Sequence, residues 1–358
     1  MVGEWEVRVE EGETEWHLRR VPHLGFLGAG EALGAPSPLH SPGNMKEGKP
    51  SRTAAVVAAL RGYGKYLASP LCEAGRDPYG LAFAGQPYTG LDALLAASPR
   101  LRRLCFGSST AFLSYATATH VLRTVAIDGA VQSFYRSRGR QVVILGAGFD
   151  ARALRLHAAM PAVRWVEVDA PASQAAKRDA LNRVGDEGRG DEGPDIRFVA
   201  HNFEMETGEQ LKAKLCDAGL DLAQPLLTVA EGLLMYLSDA AAESTFSLLY
   251  DISAPGSGVV FSHIPPSGLS TLSPWSVNFW MRAWFKHVFK ESLNFGGWEH
   301  GPAMERWFAQ RSWHLLWDRG YGEVARQAGC SADLEAAVAC DFQRVGMAMV
   351  RKPQAMAK

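Results

Sequence analysis

The chain has 358 residues, 47% of them apolar, and balances 37 lysines and arginines against 38 aspartates and glutamates for a formal charge of −1. That length suits one large core or a domain with a lid, the even charge offers no footprint for nucleic acid, and no run reaches the roughly 18 apolar residues of a membrane span. The acidic start MVGEWEVRVEEGETEW fits neither a signal nor a transit peptide. Cys72, Cys105, Cys216, Cys330 and Cys340 are scattered without a C-x-x-C pair, so no disulfide frame and no metal site is expected, and the pattern fits reduced thiols in a cytoplasmic protein. Nothing indicates the oligomeric state.

Residues 1–50 include GFLGAGEALGAPSPLHSPGNMKEGKP, rich in Gly, Pro and Ser without a clean period, and read as a flexible or loosely ordered extension. Its GAG at Gly28 to Gly30 precedes no strand–helix unit and is read as a turn. From Ser51 the pattern turns helical: SRTAAVVAALRGYGKYLASP is broken by Pro70, and a second helix is expected from about His120 to Tyr135, with Ile127, Val131 and Phe134 on one face and Arg123 near its start.

Strands then alternate with helices. VVIL (142–145), WVEV (165–168), IRFVA (196–200), LLTVA (226–230) and GVVFSHI (258–264) are apolar runs of the kind buried on both faces of a parallel sheet. Helices are expected at 174–184, 209–218 and 239–252, and SWHLLW (312–317) and FQRVGMAMV (342–350) suit a last pair of strands. This alternation predicts an α/β doubly wound sheet.

The loop after the first strand, Gly146-Ala147-Gly148, turns sharply and brings backbone N–H groups near a ligand. Through Ala151 it satisfies a dinucleotide pattern, and Asp169 at the end of the second strand could grip the ribose of NAD or of S-adenosylmethionine. Two features favour the sulfonium nucleoside. A helical stretch precedes the loop, where a dinucleotide domain usually opens its chain. Asp150 also stands where a pyrophosphate would meet the helix N-terminus, and its carboxylate would repel it. In the block AEGLLMYL (230–237), Glu231 ends the fourth strand in the crevice where open α/β sheets bind ligands.

VVILGAGFDARALRL, VEVDAPASQAAKR and EGLLMYLSDAAAE, in that order and preceded by SRTAAVVAALRG, resemble the signature blocks of the leucine carboxyl methyltransferase family, closest to its bacterial stand-alone branch. The resemblance implies a class I methyltransferase-like, mostly parallel seven-stranded sheet with an N-terminal helical cap and an aromatic helical insert before the last two strands. It implies a single domain over residues 51–358: a helical part (51–140), a cofactor core (141–264), an aromatic lid (265–311) and final strands (312–358). The implied cofactor is S-adenosyl-L-methionine and the implied activity is O-methylation, with a protein C-terminus or a small lipophilic acid as the carboxylate acceptor.

Residue by residue, the resemblance implies that Gly146 and Gly148 approach the methionine part of the cofactor, whose sulfonium and amino group the Asp150 carboxylate suits on charge grounds. Arg123 would pair with its carboxylate, Glu231 would face its amino group, Asp169 would bind the ribose hydroxyls, and Arg52 (or Ser51) would reach it from the N-terminal side. The family usually has Asp-Leu or Asp-Phe after the third strand, where this chain has His201-Asn202-Phe203; Asn202 can still accept a hydrogen bond from adenine, and Phe203 lines the adenine slot or belongs to the core.

Methyl transfer to a carboxylate needs orientation but no general base, because the acceptor is already ionised. Arg152, Arg155 and Tyr236 are candidate acceptor anchors, Arg155 alternatively tying helix to sheet. A hydroxyl acceptor would need a base, for which His263 is best placed. The insert carries Trp275, Phe279, Trp280, Trp284, Phe285, Phe289, Trp298 and Trp307, as core, as an aromatic lid or as both, and Lys286, His287 and Lys290 beside them also permit a membrane-surface helix. Two other functions remain open: a nicotinamide-dependent dehydrogenase, and a non-catalytic cofactor-binding relative.

Overall fold

A computed structural model describes residues 52–184, 194–266, 297–339 and 343–352. The expected extension (1–50), Ser51 and most of the aromatic insert, including Trp275, Phe279, Trp280, Trp284, Phe285 and Phe289, lie outside the described residues.

Seven strands form one sheet in the order β3-β2-β1-β4-β5-β7-β6. They are β1 (Gln141–Leu145), β2 (Arg164–Asp169), β3 (Ile196–Ala200), β4 (Leu226–Ala230), β5 (Gly258–His263), β6 (Trp313–Gly320) and β7 (Arg344–Val350). The first five are parallel, and β7 runs antiparallel to both β5 and β6. This is the expected doubly wound, mostly parallel architecture, with strand boundaries within a few residues of the apolar runs.

The apolar runs become central strands because both faces of the sheet are covered. On β1, Val143 and Leu145 face one cluster while Val142 and Ile144 face another, the two-residue period of a strand. The first cluster is closed by α7 (Gly208–Asp217), α8 (Asp239–Ile252) and α9 (Pro302–Gln310). The second is closed by α4 (Phe112–Arg136), α10 (Tyr321–Gln327) and α11 (Ala332–Val338). Local chemistry starts these helices. Thr207 and Gln210 form a reciprocal capping box on α7, and the Ser238 and Ser331 hydroxyls accept N–H groups of α8 and α11.

Ahead of the sheet, α1 (Arg52–Tyr63), α2 (Tyr88–Ala97) and α3 (Pro99–Phe106) build the expected helical cap, with the short helix Gly80–Ala84 between α1 and α2. Val56, Leu60 and Tyr63 of α1 pack with Leu95 of α2, Met235 and Ile264, so the cap sits against the segments that follow β4 and β5. The sheet order reverses between β1 and β4, and the C-terminal ends of these two neighbours form the switch point where such folds bind ligands. Among the described residues no helix is long and apolar enough to cross a membrane.

Trp298 and Trp307 belong to the core. Both pack edge-on against Phe246 of α8 at 5.7 and 5.3 Å between ring centres, beside Phe308. For these two rings the core alternative holds.

Candidate active site

The glycine-rich loop leaves β1 through two residues in left-handed backbone, Gly146 (φ 63°) and Gly148 (φ 43°). A Cβ on Gly146 would lie 3.0 Å from Leu233, and one on Gly148 would lie 3.1 Å from Ala54 of α1, so both conformation and space favour glycine. Asp169 ends β2 beside this loop. Its two carboxylate oxygens accept the Gly148 N–H at 2.5 Å and the Ala170 N–H at 2.6 Å. Burial pushes the carboxyl up, against the pull of those two N–H donors.

The loop then enters α5 (Arg152–Leu156), and here the structure departs from the expected roles. One Asp150 oxygen accepts the Arg152 backbone N–H at 2.7 Å, and the other receives the Arg152 guanidinium. Asp150 thus closes the helix start with its own charge, the position a pyrophosphate would claim. Each of its oxygens has one partner within the protein, and both bonds tie Asp150 to Arg152. Arg152 is 1% exposed and also binds Asp128 at 2.7 Å and Glu231 at 2.8 Å. An arginine shared by three buried carboxylates has no face for an acceptor, so Arg152 does not serve as the acceptor anchor. Arg155 shares Asp128 at 2.6 Å, so it is structural as the alternative had it, but it ties α5 to α4 and not helix to sheet.

Glu231 is the hub. One oxygen takes Arg152 and the other takes Arg123 Nε at 2.9 Å. Burial pushes the Glu231 carboxyl up, but the Arg123 and Arg152 guanidiniums outweigh it and hold the group well below the usual carboxylate range. The same balance keeps Asp128 low against its burial, through Arg155 and Arg152. Arg123, expected near the start of a helix, sits inside the 25-residue α4 and is buried, and its Nη1 also donates to Gln343 at 3.3 Å. The structure thus brings Arg123, Glu231, Gly146, Gly148 and Asp169 to one edge of the sheet.

The other candidates lie around this centre. Tyr236 ends the turn Leu234–Tyr236 after β4, half-buried where that turn meets the cap. Asn202 folds its side-chain oxygen back to accept the Glu204 N–H at 3.0 Å, which leaves one of that oxygen's two lone pairs for a further donor. Phe203 is half-buried against the core cluster and meets His201 edge-on, 5.1 Å between ring centres. Arg52 is exposed and lines a cleft of about 310 Å³ with Phe83, Phe149, Asp179 and Arg183, between α1 and α6 (Pro171–Val184). His263 is buried at the end of β5; its Nε2 lies 3.0 Å from Asp318, which also accepts Arg344 Nε at 2.7 Å. His263 Nδ1 is buried without a hydrogen-bond partner.

Several supporting residues carried little signal in the sequence. Asp128 is a lone acid in the apolar helical run TVAIDGAV, and that isolation was the available clue, since a buried charge requires a partner. Arg61 of α1 donates to Asp77 at 2.9 Å and to the Phe149 carbonyl, joining the cap to the glycine-rich loop. Lys177 of α6 is 2% exposed and holds both Glu167 and the Asp150 carbonyl from beneath that loop. Gln343 lies next to a strand in no recognisable motif.

The leucine carboxyl methyltransferase family profile matches residues 54–250. A relative from Mycobacteroides abscessus, provisionally described as an S-adenosyl-L-methionine-dependent methyltransferase, is 31% identical over 276 residues, covering 73% of this chain and 82% of its own length. A relative from Mycobacterium sp. (strain KMS) with the same description is 32% identical over 271 residues, covering 73% of this chain and 81% of its own. A solved structure of a DUF574 family protein from Streptomyces avermitilis overlaps 83% of this chain and 97% of its own at 15% identity and a TM-score of 0.48. The helical cap, the glycine-rich loop, the second-strand Asp169 and the Arg123–Glu231 pair all fall within the matched stretch, and the chain belongs to the leucine carboxyl methyltransferase family.

Proposed function

We propose that the chain is an S-adenosyl-L-methionine-dependent methyltransferase whose acceptor is a carboxylate. The observation that carries the cofactor is a pair of opposite charges at the switch point: the Arg123 guanidinium and the Glu231 carboxylate, 2.9 Å apart and beside the glycine-rich loop. The methionine end of S-adenosyl-L-methionine is a zwitterion, and this pair offers a cation for its carboxylate and an anion for its ammonium. Asp169 suits a ribose hydroxyl, because a carboxylate keeps acceptor capacity after accepting two backbone N–H groups and the Ser173 side chain. Asp150, closing the start of α5, argues against a dinucleotide.

When bound, S-adenosyl-L-methionine supplies a methyl group on a sulfonium, open to in-line attack by an oxygen lone pair. The chain's own residues orient the partners and exclude water. Arg123 and Glu231 hold the amino-acid end, the backbone at Gly146 and Gly148 allows close approach, and Arg152, itself held by Asp128, keeps Glu231 ionised and fixed. Preorganised charges of this kind need no rearrangement during reaction. A carboxylate acceptor arrives ionised, so orientation is the main requirement. Tyr236, at the turn between this edge and the cap, would donate a hydrogen bond to that carboxylate. Membership of a carboxyl-methylating family supports the acceptor class. Peptides ending in a free leucine and small lipophilic acids are the acceptors to try first.

The deciding experiment transfers a radiolabelled methyl group to such acids and then treats the product with alkali. A methyl ester releases volatile methanol, and that is the expected result. Label that survives alkali would mark an ether and overturn the carboxylate acceptor.

One observation favours a second reading, a hydroxyl acceptor. His263 donates from Nε2 to Asp318, which leaves Nδ1 with a free lone pair on a ring held in place, the arrangement of an oriented general base. Under the carboxylate reading, His263→Asn lowers kcat by less than about 10-fold, whereas loss of a working base costs about 10²–10⁴-fold.

A further inference from the structure

Arg123 is gripped from two sides. Glu231 takes Nε from the end of β4, and the side-chain oxygen of Gln343, just before β7, takes Nη1 at 3.3 Å. That same oxygen accepts the hydroxyl of Tyr321, the first residue of α10, at 2.9 Å. Gln343 is 5% exposed and Tyr321 3%, so the arrangement is internal. Arg123 Nη2 has no hydrogen-bond partner among the described residues.

A primary amide suits this place better than any other side chain. Its oxygen has two lone pairs, so it serves the guanidinium and the phenol together. Being neutral, it leaves the full charge of Arg123 available, whereas a glutamate here would compete with an incoming carboxylate. An aliphatic residue would strand a buried N–H and a buried O–H. With Nε and Nη1 both fixed, the planar guanidinium has one orientation, and Nη2 is the donor left for a ligand.

We propose that Gln343, itself held by Tyr321, is a positioning residue that orients Arg123 toward the carboxylate at the methionine end of the cofactor. The last antiparallel strand thereby reaches the cofactor site from outside the matched family stretch of residues 54–250. The inference rests on the reading of Arg123 given above. It makes Gln343 and Tyr321 matter for one end of the cofactor only.

The test titrates the full chain calorimetrically with two nucleosides, S-adenosylhomocysteine and 5′-methylthioadenosine. They share adenosine and a thioether, but the second lacks the amino acid. Three variants are compared with the parent: Arg123→Met, Gln343→Leu and Tyr321→Phe. Arg123→Met should weaken S-adenosylhomocysteine selectively. Gln343→Leu should weaken it about tenfold and Tyr321→Phe about threefold, with methylthioadenosine changed less than twofold in both. If Arg123→Met discriminates while the other two leave both ligands unchanged, or weaken both alike, the positioning role is overturned and the Arg123 reading stands. If Arg123→Met does not discriminate, the reading beneath falls and the inference with it. Should Gln343→Leu fail to fold, Tyr321→Phe, which removes only a hydroxyl, decides alone.

Discussion

Two buried carboxylates show how one residue type is tuned in opposite directions. Glu167 lies in the middle of β2, 1% exposed, with Lys177 as its single cation. Burial pushes its carboxyl up to about 7, Lys177 opposing but not cancelling the effect. An acid whose folded pKa exceeds its unfolded value binds more protons in the native state. Its contribution to stability is therefore present below the unfolded pKa and is lost as pH rises toward 7. Glu167→Gln removes that titration, so the variant should gain stability relative to the parent between pH 5 and pH 8 in urea melts. A difference that stays flat over that range would contradict this assignment. Asp128 is the reverse case, held ionised by two arginines with almost no exposure. Asp128→Asn keeps the shape but leaves surplus buried positive charge, and should cost about 3–5 kcal/mol in the same melts. A loss below about 1 kcal/mol would mean that solvent screens the pair as it does at a surface.

Among the elements, the loop from β1 to α5 carries the tightest constraints. Gly148 combines left-handed backbone with a close approach to Ala54 of α1, so loop and cap are fitted to one another. Gly148→Ala should cost about 1–2 kcal/mol from backbone conformation alone. It should also weaken S-adenosylhomocysteine by tenfold or more, because the Gly148 N–H that holds Asp169 would shift. Unchanged affinity in a folded variant would detach the loop from the cofactor. Arg61 fixes the same loop from the cap through the Phe149 carbonyl. Arg61→Met should lower stability and affinity together, and normal affinity in the variant would separate the cap from the site.

At the scale of the molecule, what was legible in the sequence follows from what sequence patterns encode. The central strands were readable because burial on both faces leaves continuous apolar runs, while the edge strands β3 and β6 are only partly buried and were readable as partly apolar runs. Gly146, Gly148, Asp169 and Glu231 were legible as candidates because they stand at strand ends or in recognisable blocks, whereas Arg123, inside a helix, was legible through the family resemblance alone. The burial of Arg152 was not legible, since motif position does not say which way a side chain turns. Besides Asp150, its near neighbour in the chain, Asp128 and Glu231 converge on Arg152 from segments 24 and 79 positions away. Gln343 was invisible for the same reason: its meaning comes from Arg123, 220 positions away. Asn202 matches the donor–acceptor arithmetic of adenine recognition, but the turn that shares its oxygen was not legible in the sequence.

The central claim is that this edge of the sheet binds a sulfonium nucleoside through Asp169 and the Arg123–Glu231 pair. Calorimetry of the purified chain against S-adenosyl-L-methionine and S-adenosylhomocysteine, with NAD and NADP alongside and repeated on Asp169→Ala, tests it most directly. The account predicts binding of both sulfur nucleosides, its loss in a folded Asp169→Ala variant, and no heat from either dinucleotide. Binding of NAD, or sulfur-nucleoside binding indifferent to Asp169, would contradict it.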